Sequence, residues 1–379
     1  MWRGGRVIIA VCAALFSGVA ARTVAAQDWA TRAVCDMPEI GVFDRVFAPA
    51  TRAEVEAAGA EIANPLGRFW RVVSPNGAVS HLWGTMHSSD PRVLDLPDLV
   101  EARIAEAEVV ALEIDPILPT RAAVADQQQR SDWFRDDDDS TSLTDLGLDP
   151  KVLQWIRLRS AGLGWGEDAP EFLTPGGLAE LLLSDPCHDF AAGVLPVQDS
   201  RIQMLAMIGG ADILALEDRD RIRRKMDDPD STDFAVDFLS VYGSYLNPNT
   251  IWQERATQIA LYLSGRLGDM LAWDQVYVSD ALGDNGATLA RVNRYLLDER
   301  NHAFLAAAQD GLQDGGMLMA VGGFHLPGDQ GLIALLRRQG FTVTRIPVPG
   351  EVRTLDARRN DISLDQLDLG PADPDEAQP

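Results

Sequence analysis

The sequence predicts an α/β protein with α+β character, in which a core sheet carries a large helical insertion. Short apolar segments rich in Val, Ile and Leu alternate with amphipathic segments of helical periodicity. The dipeptide Asn76-Gly77 separates two β-rich runs, which is a strong short-range signal of a hairpin. A strand–Gly-x-x-His–helix–strand pattern occurs twice, over 80–114 and 317–346. Because a strand–helix–strand crossover gives parallel strands, the repeat predicts a duplicated core sheet.

Composition limits what the chain can be. Its 379 residues are 46% hydrophobic and 24% charged, which excludes wholesale disorder and suffices for one large domain. Asp and Glu outnumber Lys and Arg by 57 to 33, so the formal net charge is −24. Such an acidic surface repels phosphate backbones, and we expect no nucleic-acid partner.

The first 26 residues are typical of an export signal. Arg3 and Arg6 precede an apolar run over 7–19, and the small residues at 24–26 fit a cleavage site. The run is shorter than the roughly 20 residues that span a bilayer, and no later segment is long and apolar enough. We therefore expect a periplasmic or secreted protein without a stable membrane span after the signal is removed.

Two cysteines, Cys35 and Cys187, remain once the signal is removed. In an oxidising compartment such a pair is a candidate disulfide, here joining the N-terminal segment to the middle of the chain. The alternative is a pair of unpaired buried thiols. Two cysteines cannot by themselves form a structural zinc site.

The predicted domain covers 27–350, with the helical insertion at about 218–315 and a disordered acidic tail at 351–379. Its first helix has Thr51 as N-cap and Glu54 completing a capping box. The acidic run at 136–139 lacks the spaced ligands of a calcium loop and predicts a solvated loop. Strands are predicted at 69–73, 79–83, 109–114, 211–216, 317–321 and 341–346, and helices at 51–63, 96–107, 199–209, 234–246, 251–263, 289–312 and 331–339.

Four side chains able to bind a metal follow predicted strands. His87 and His325 end the two Gly-x-x-His motifs, and Glu113 and Glu217 end the strands at 109–114 and 211–216. Because parallel strands open their carboxyl ends onto one ligand crevice, we expect these groups to converge there. Glycine ahead of each histidine is expected to let the backbone turn sharply. The alternative for the two glutamates is a solvated position at the rim of the sheet.

Imidazole and carboxylate together favour Zn, Mn or Co, with a bound water as nucleophile. On the helix over 289–312, Arg300 is expected to clamp a carboxylate, either Glu217 or one of the substrate, and Asn301 to orient a ligand. An ordinary helix with an extended arginine is the alternative.

The other histidines, His81, His188 and His302, are assigned structural positions. No serine-hydrolase or nucleotide-binding motif occurs.

The chain resembles the TraB/GumN family, to which the animal Tiki proteins also belong. The resemblance lies in HLWGTMHSSDPRV, VVALEID, ADILALE, ERN and MLMAVGGFHLPGDQGLIALLRRQGFTV, at 81–93, 109–115, 211–217, 299–301 and 317–343, with Cys35 and PCHDF at 186–190 similar to the bacterial GumN-like branch. It implies a fold like that of the erythromycin-esterase/ChaN group. In Tiki proteins the paired Gly-x-x-His motifs and a Glu belong to a protease that is active with Mn or Co. Carried over, these are His87, His325 and a Glu, with Glu113 the better match and Glu217 the second.

The sequence therefore predicts a metal-dependent hydrolase, in first place a peptidase. His87, Glu113 and His325 are its predicted metal ligands, and Glu217, Arg300 and Asn301 its predicted catalytic residues. The substrate is a peptide or another small molecule. Two alternatives stay open: a non-catalytic protein that captures haem or metal through the same histidines, and a metal-free, esterase-like hydrolase with His87 as base.

Overall fold

The computed structural model describes residues 39–114, 133–135, 142–184 and 197–355. The predicted export signal, both cysteines of the predicted disulfide, the acidic run at 136–139 and the tail from 356 lie outside the described residues. Within the described ranges, no helix is both long and apolar enough to cross a membrane.

A six-stranded mixed sheet organises the described chain, which confirms the α/β prediction. Its strands are β1 (Phe69–Val73), β2 (Val79–Thr85), β3 (Val109–Leu112), β4 (Asp212–Ala215), β5 (Met317–Gly322) and β6 (Thr342–Arg345), in the spatial order β4-β3-β5-β2-β1-β6. Strands β4, β3, β5 and β2 run parallel to one another, whereas β1 is antiparallel to both of its neighbours. The predicted Asn-Gly hairpin joins β1 to β2.

The two Gly-x-x-His units are not placed alike in this sheet. The first runs from β2 to β3, but β5 lies between them and pairs with both. The second unit runs from β5 to β6, which sits at the far edge beside β1. Each unit thus contributes two parallel strands that are not neighbours. The α/β class is confirmed, but the specific duplicated core is not.

The helices follow the predicted periodicity closely. The Thr51 hydroxyl accepts a hydrogen bond from the Glu54 amide, and the Glu54 carboxylate accepts one from the Thr51 amide, so the predicted capping box is present. The α-helices are α1 (Arg52–Glu61), α2 (Pro91–Leu94), α3 (Asp98–Glu106), α4 (Pro150–Gly162), α5 (Pro175–Leu183), α6 (Gln198–Gly209), α7 (Arg221–Asp227), α8 (Thr232–Ser244), α9 (Ile251–Leu263), α10 (Leu267–Leu282), α11 (Ala287–Asn293), α12 (Arg300–Asp314) and α13 (Leu332–Arg338).

Helices cover both faces of the sheet, as mixed and parallel sheets require. Because alternate residues of a strand face opposite sides, Leu318 and Ala320 of β5 pack toward α3 and α6, whereas Met319 and Val321 pack toward α9, α10, α12 and α13. A further apolar cluster is built from α4, α5, α7, α8 and α11 away from the sheet. The helical region therefore has a core of its own beside the sheet's carboxyl edge.

Candidate active site

Four neighbouring parallel strands have their carboxyl ends along one side of the sheet, which we call the sheet edge. Each of these strands is followed by a predicted site residue. His87 lies just beyond β2, His325 beyond β5 in the 3-10 turn Gly323–His325, Glu113 directly after β3 and Glu217 just beyond β4. The Nε2 atom of His325 lies 3.7 Å from Oε1 of Glu113. The structure thus brings both histidines and both glutamates to one edge, where the parallel strand order predicts a ligand crevice.

Gly322, the last residue of β5, lies at the centre of this group. A Cβ atom on Gly322 would be 3.2 Å from Glu113 Oε1, 3.5 Å from His325 Cδ2 and 3.9 Å from His87 Nε2. Its backbone φ of −48° is open to any residue. The expectation that the motif glycine provides a sharp turn is therefore wrong here. The glycine instead leaves free the small volume that the three side chains surround.

Arg300 ties the two glutamates together. Its Nη2 atom lies 2.6 Å from Glu113 Oε2 and 2.5 Å from Glu217 Oε1, and its Nε lies 2.9 Å from the same Glu217 oxygen. The predicted clamp on Glu217 is thus present and extends to Glu113. Arg221 approaches the second oxygen of Glu217 at 3.4 Å. Glu217 is consequently held by two arginines, which suits a role in positioning Arg300.

Asn301 sets the orientation of His325. Its side-chain amide donates to the Gln330 carbonyl at 2.8 Å, which places its oxygen 2.7 Å from His325 Nδ1. An amide oxygen only accepts hydrogen bonds, so Nδ1 carries the proton and Nε2 carries the lone pair. That lone pair faces the edge of the sheet, with Arg300 Nη1 3.5 Å away as a distant donor.

Asp199, a residue that sequence reasoning missed, holds the other histidine. Its Oδ2 lies 2.9 Å from His87 Nδ1, while Thr85 donates to its Oδ1 at 2.7 Å. Asp199 is buried in the first turn of α6, but the imidazole of His87 keeps about half of its surface accessible because it faces the cavity described below. A carboxylate on Nδ1 fixes the tautomer and leaves Nε2 directed at the cavity.

The charges at the edge are strongly coupled. Burial raises the pKa of Glu113, but the positive charge of Arg300, together with the hydrogen bond from the Gly322 backbone amide, holds that pKa well below its ordinary value. Asp199 raises the pKa of His87. Burial lowers the pKa of His325 to about 3, so this ring is neutral at physiological pH. The imidazole of His325 and the carboxylate of Glu113 can therefore both accept a hydrogen bond or bind a cation.

A π-helical turn, Arg294–Glu299, immediately precedes α12 and interrupts the single helix predicted over 289–312. Arg300 and Asn301 directly follow this turn, and both side chains are buried although the two residues are adjacent in sequence. The Arg300 guanidinium also donates to the Leu296 carbonyl at 3.3 Å. Such turns are frequent at functional sites because they shift the register of the side chains that follow.

A cavity of about 1160 Å³ opens from this edge toward the helical region. Ligand pockets are roughly 300–1,000 Å³, so it has room for an extended ligand. The lining is mostly apolar and includes Trp133, Phe134, Leu181, Leu246, Ile251 and Met270 beside the edge residues.

The remaining histidines do not join the site. His81 lies within β2, stacked on Phe69 with ring centroids 5.5 Å apart, and His302 is exposed on α12. His188 lies outside the described residues. In the part of the chain that the structure describes, no three His, Cys, Asp or Glu side chains are already arranged to hold a metal ion.

Comparison with known proteins gives one match. The sequence model of the TraB/PrgY/gumN family matches residues 68–345, which cover the sheet from just before β1 to the end of β6. No curated protein and no solved structure matched the chain. The matched range contains every edge residue described above.

Proposed function

The chain belongs to the TraB/PrgY/gumN family, and from that premise and the geometry of the sheet edge we propose that it is a metal-dependent hydrolase acting on peptides. His87, Glu113 and His325 would hold a divalent metal ion such as Mn, Co or Zn. The export signal predicted over 1–26 would place this activity in the periplasm or outside the cell.

The proposal rests mainly on two hydrogen-bond acceptors that lie close together in a buried position. Nε2 of His325 and Oε1 of Glu113 are 3.7 Å apart, and neither has a proton to offer the other when Asn301 holds Nδ1–H. A cation held by this imidazole and this carboxylate would satisfy both. The Gly322 backbone also donates to Glu113 Oε1 at 2.7 Å, which fixes that carboxylate.

The residues around the proposed ligands fit a metal site. Metal-binding histidines commonly give their other ring N–H to a carboxylate or carbonyl oxygen, as His87 does to Asp199 and His325 to Asn301. The volume beside Gly322 that a Cβ atom would fill lies within 4 Å of His87 Nε2 and Glu113 Oε1. The donor set of imidazole and carboxylate suits Mn, Co or Zn.

A divalent metal held by these residues would supply an acidified water as nucleophile and would polarise the carbonyl that is attacked. The protein supplies the rest. Arg300 keeps Glu113 ionised and in place, and Glu217 holds Arg300 from the other side. The apolar walls of the cavity would bind the side chains of a peptide and exclude bulk water from the edge.

A second candidate is metal-free hydrolysis with His87 as general base. The observation that favours it is the His87–Asp199 pair, in which a carboxylate on Nδ1 leaves Nε2 accessible to a ligand in the cavity. The same arrangement orients the base in serine-type hydrolases. Sensitivity to chelation separates this candidate from the first.

Metal analysis of the untagged protein, followed by digestion of a peptide library with Mn, with EDTA and with neither, tests the proposal. We expect about one metal per chain and Mn-dependent cleavage, both lost in His87→Ala, Glu113→Gln and His325→Ala. His302→Ala removes an exposed histidine next to Asn301 and should retain both. Full activity in EDTA would favour the metal-free candidate, and no metal together with no cleavage would refute both.

A further inference from the structure

Two buried carboxyl groups lie far from the sheet edge in the same cavity. Glu254 and Asp274 both line it, yet they are only 3% and 4% exposed. Oε1 of Glu254 has no hydrogen-bond partner. Asp274 accepts a hydrogen bond from the Tyr245 hydroxyl. Among the described residues no arginine, lysine or histidine forms an ion pair with either group. Buried carboxyls without a cation are costly, so native proteins rarely keep them without a purpose.

Two tyrosines link these carboxyl groups into one cluster. Tyr245, which binds Asp274, stacks on Tyr277 with ring centroids 5.7 Å apart. Tyr277 lies beside the Glu254 carboxyl group. Aromatic faces and carboxylates together form the usual surroundings of a bound ammonium group.

Two of the arginines that line the cavity are engaged near the sheet edge. Arg300 is engaged by Glu113 and Glu217 at the sheet edge, and Arg255 donates to Ser88 at 3.2 Å, next to His87. No cationic side chain contributes to the pKa of Glu254 or of Asp274, which burial raises to about 7 and about 6. The far end of the cavity is thus available to an external cation.

Helix geometry gives the distance between this cluster and the edge. Leu267 would contact a Cβ atom on Gly323, beside His325, at 3.2 Å. Leu267, Met270 and Asp274 line the cavity from one face of α10. At about 1.5 Å per residue, Asp274 lies about 10 Å further along the helix than Leu267. An extended peptide covers that distance in about three residues.

We propose that Glu254 and Asp274 form a subsite for the ammonium group of a peptide substrate, about three residues before the bond that is cleaved. The inference rests on the proposed hydrolase function for the cleavage, but the binding itself does not require a metal. It assigns the substrate class: short peptides with apolar side chains and a free amine. The net charge of −24 would also draw such cations toward the protein.

Calorimetry in EDTA at pH 7 tests binding without hydrolysis. The probes are the tetrapeptide amide Leu-Ala-Leu-Ala, its N-acetylated form, and N-acetylated Lys-Ala-Leu-Ala amide. We expect the free amine to bind about tenfold more tightly than the acetylated peptide. Affinity restored by lysine in the third probe would identify a side-chain amine as an equally good ligand, and no restoration would assign the subsite to the N-terminus.

Two variants and one control complete the test. Asp274→Asn keeps an acceptor for Tyr245, and Glu254→Gln keeps the side-chain shape, but each variant removes one carboxylate. Each should therefore reduce the preference for the free amine to less than about threefold. Asp280→Asn, an exposed change on the same helix, should retain it. Equal binding of free and acetylated peptides by the wild type, or a preference unchanged in both variants, would overturn the proposal. Amine-dependent binding without any Mn-dependent cleavage would instead refute the hydrolase proposal and leave the subsite standing.

Discussion

At the scale of single residues, the space beside Gly322 is the sharpest probe of the candidate site. Gly322→Ala would place a methyl group 3.2 Å from Glu113 Oε1 and 3.9 Å from His87 Nε2. Because φ is −48°, the backbone tolerates alanine. If the proposed function is correct, we expect a folded protein without the metal binding and the cleavage activity of the wild type. Gly41→Ala, where nothing lies within 4 Å, is the matched control. A Gly322→Ala protein with wild-type metal content would contradict the assignment.

Asp199 allows a test of positioning rather than ligation. Asp199→Asn keeps an acceptor for Thr85 but removes the charge beside His87 Nδ1. We expect a 10- to 100-fold loss of metal affinity, measured by competition with a fluorescent chelator, because such partners orient and strengthen metal-binding histidines. At saturating metal, the cleavage activity of the variant should be closer to that of the wild type than its metal affinity is. Asp212→Asn, exposed on β4, should change neither quantity.

The sequence could identify the edge residues but not all of their partners. His87, Glu113, Glu217 and His325 each follow an apolar strand, and that local pattern is visible without a structure. Asp199 lies in a helix, 112 residues from His87. It faces His87 only because α6 packs on the sheet, and no local pattern encodes that contact.

At the scale of elements, Arg300 joins α12 to the ends of β3 and β4. It contacts Glu113 and Glu217, and all three side chains are at least nine-tenths buried. Arg300→Met leaves the buried Glu113 without its arginine and Glu217 with only the longer Arg221 contact at 3.4 Å. We expect it to lower the free energy of unfolding by about 3–5 kcal/mol in urea titrations. Arg291 pairs with Asp237 on the surface, and Arg291→Met should cost less than about 1 kcal/mol. Equal losses would show that the Arg300 cluster contributes no more than a surface pair.

Element types and positions were largely predictable, whereas their arrangement was not. Apolar runs and turn residues locate β1, β2 and β5 within two residues, and the helix predicted over 251–263 has the observed bounds of α9. Sequence neighbours do not determine that β5 inserts between β2 and β3, since that order depends on long-range pairing. The π-helical turn before α12 escaped prediction because an apolar stripe looks the same in a regular helix.

At the scale of the whole molecule, the cavity separates two differently charged regions. Its edge pairs the side chains of Glu113 and Glu217 with Arg300, whereas its helical end holds the carboxyls of Glu254 and Asp274 without a cation. A peptide spanning the cavity would thus meet the reacting groups at one end and its amine partner at the other. Glu254 lies on α9 and Asp274 on α10, and both helices also pack on the sheet, so the two ends of the cavity are tied to one core.

The two buried carboxyl groups of the cavity predict a pH dependence of the free energy of unfolding. Burial raises the pKa of Asp274 from 3.8 to about 6 and that of Glu254 from 4.5 to about 7. At pH 5 the unfolded chain has released most of both protons while the folded protein still binds them, and the folded protein releases them as the pH rises towards 7. The contribution of these two carboxyl groups to stability is therefore lost as the pH rises through this range.

The double variant Asp274→Asn, Glu254→Gln isolates this effect. Its free energy of unfolding in urea, relative to that of the wild type, should increase by roughly 3 to 4 kcal/mol from pH 5 to pH 7. Burial lowers the pKa of His81 to about 4 and that of His325 to about 3, which stabilises the fold as the pH rises over the same range. Both proteins retain these histidines, so their contribution cancels in the difference. Asp280→Asn should show no such trend, and a pH-independent difference for the double variant would mean that the two carboxyls are ionised in the folded protein throughout this range.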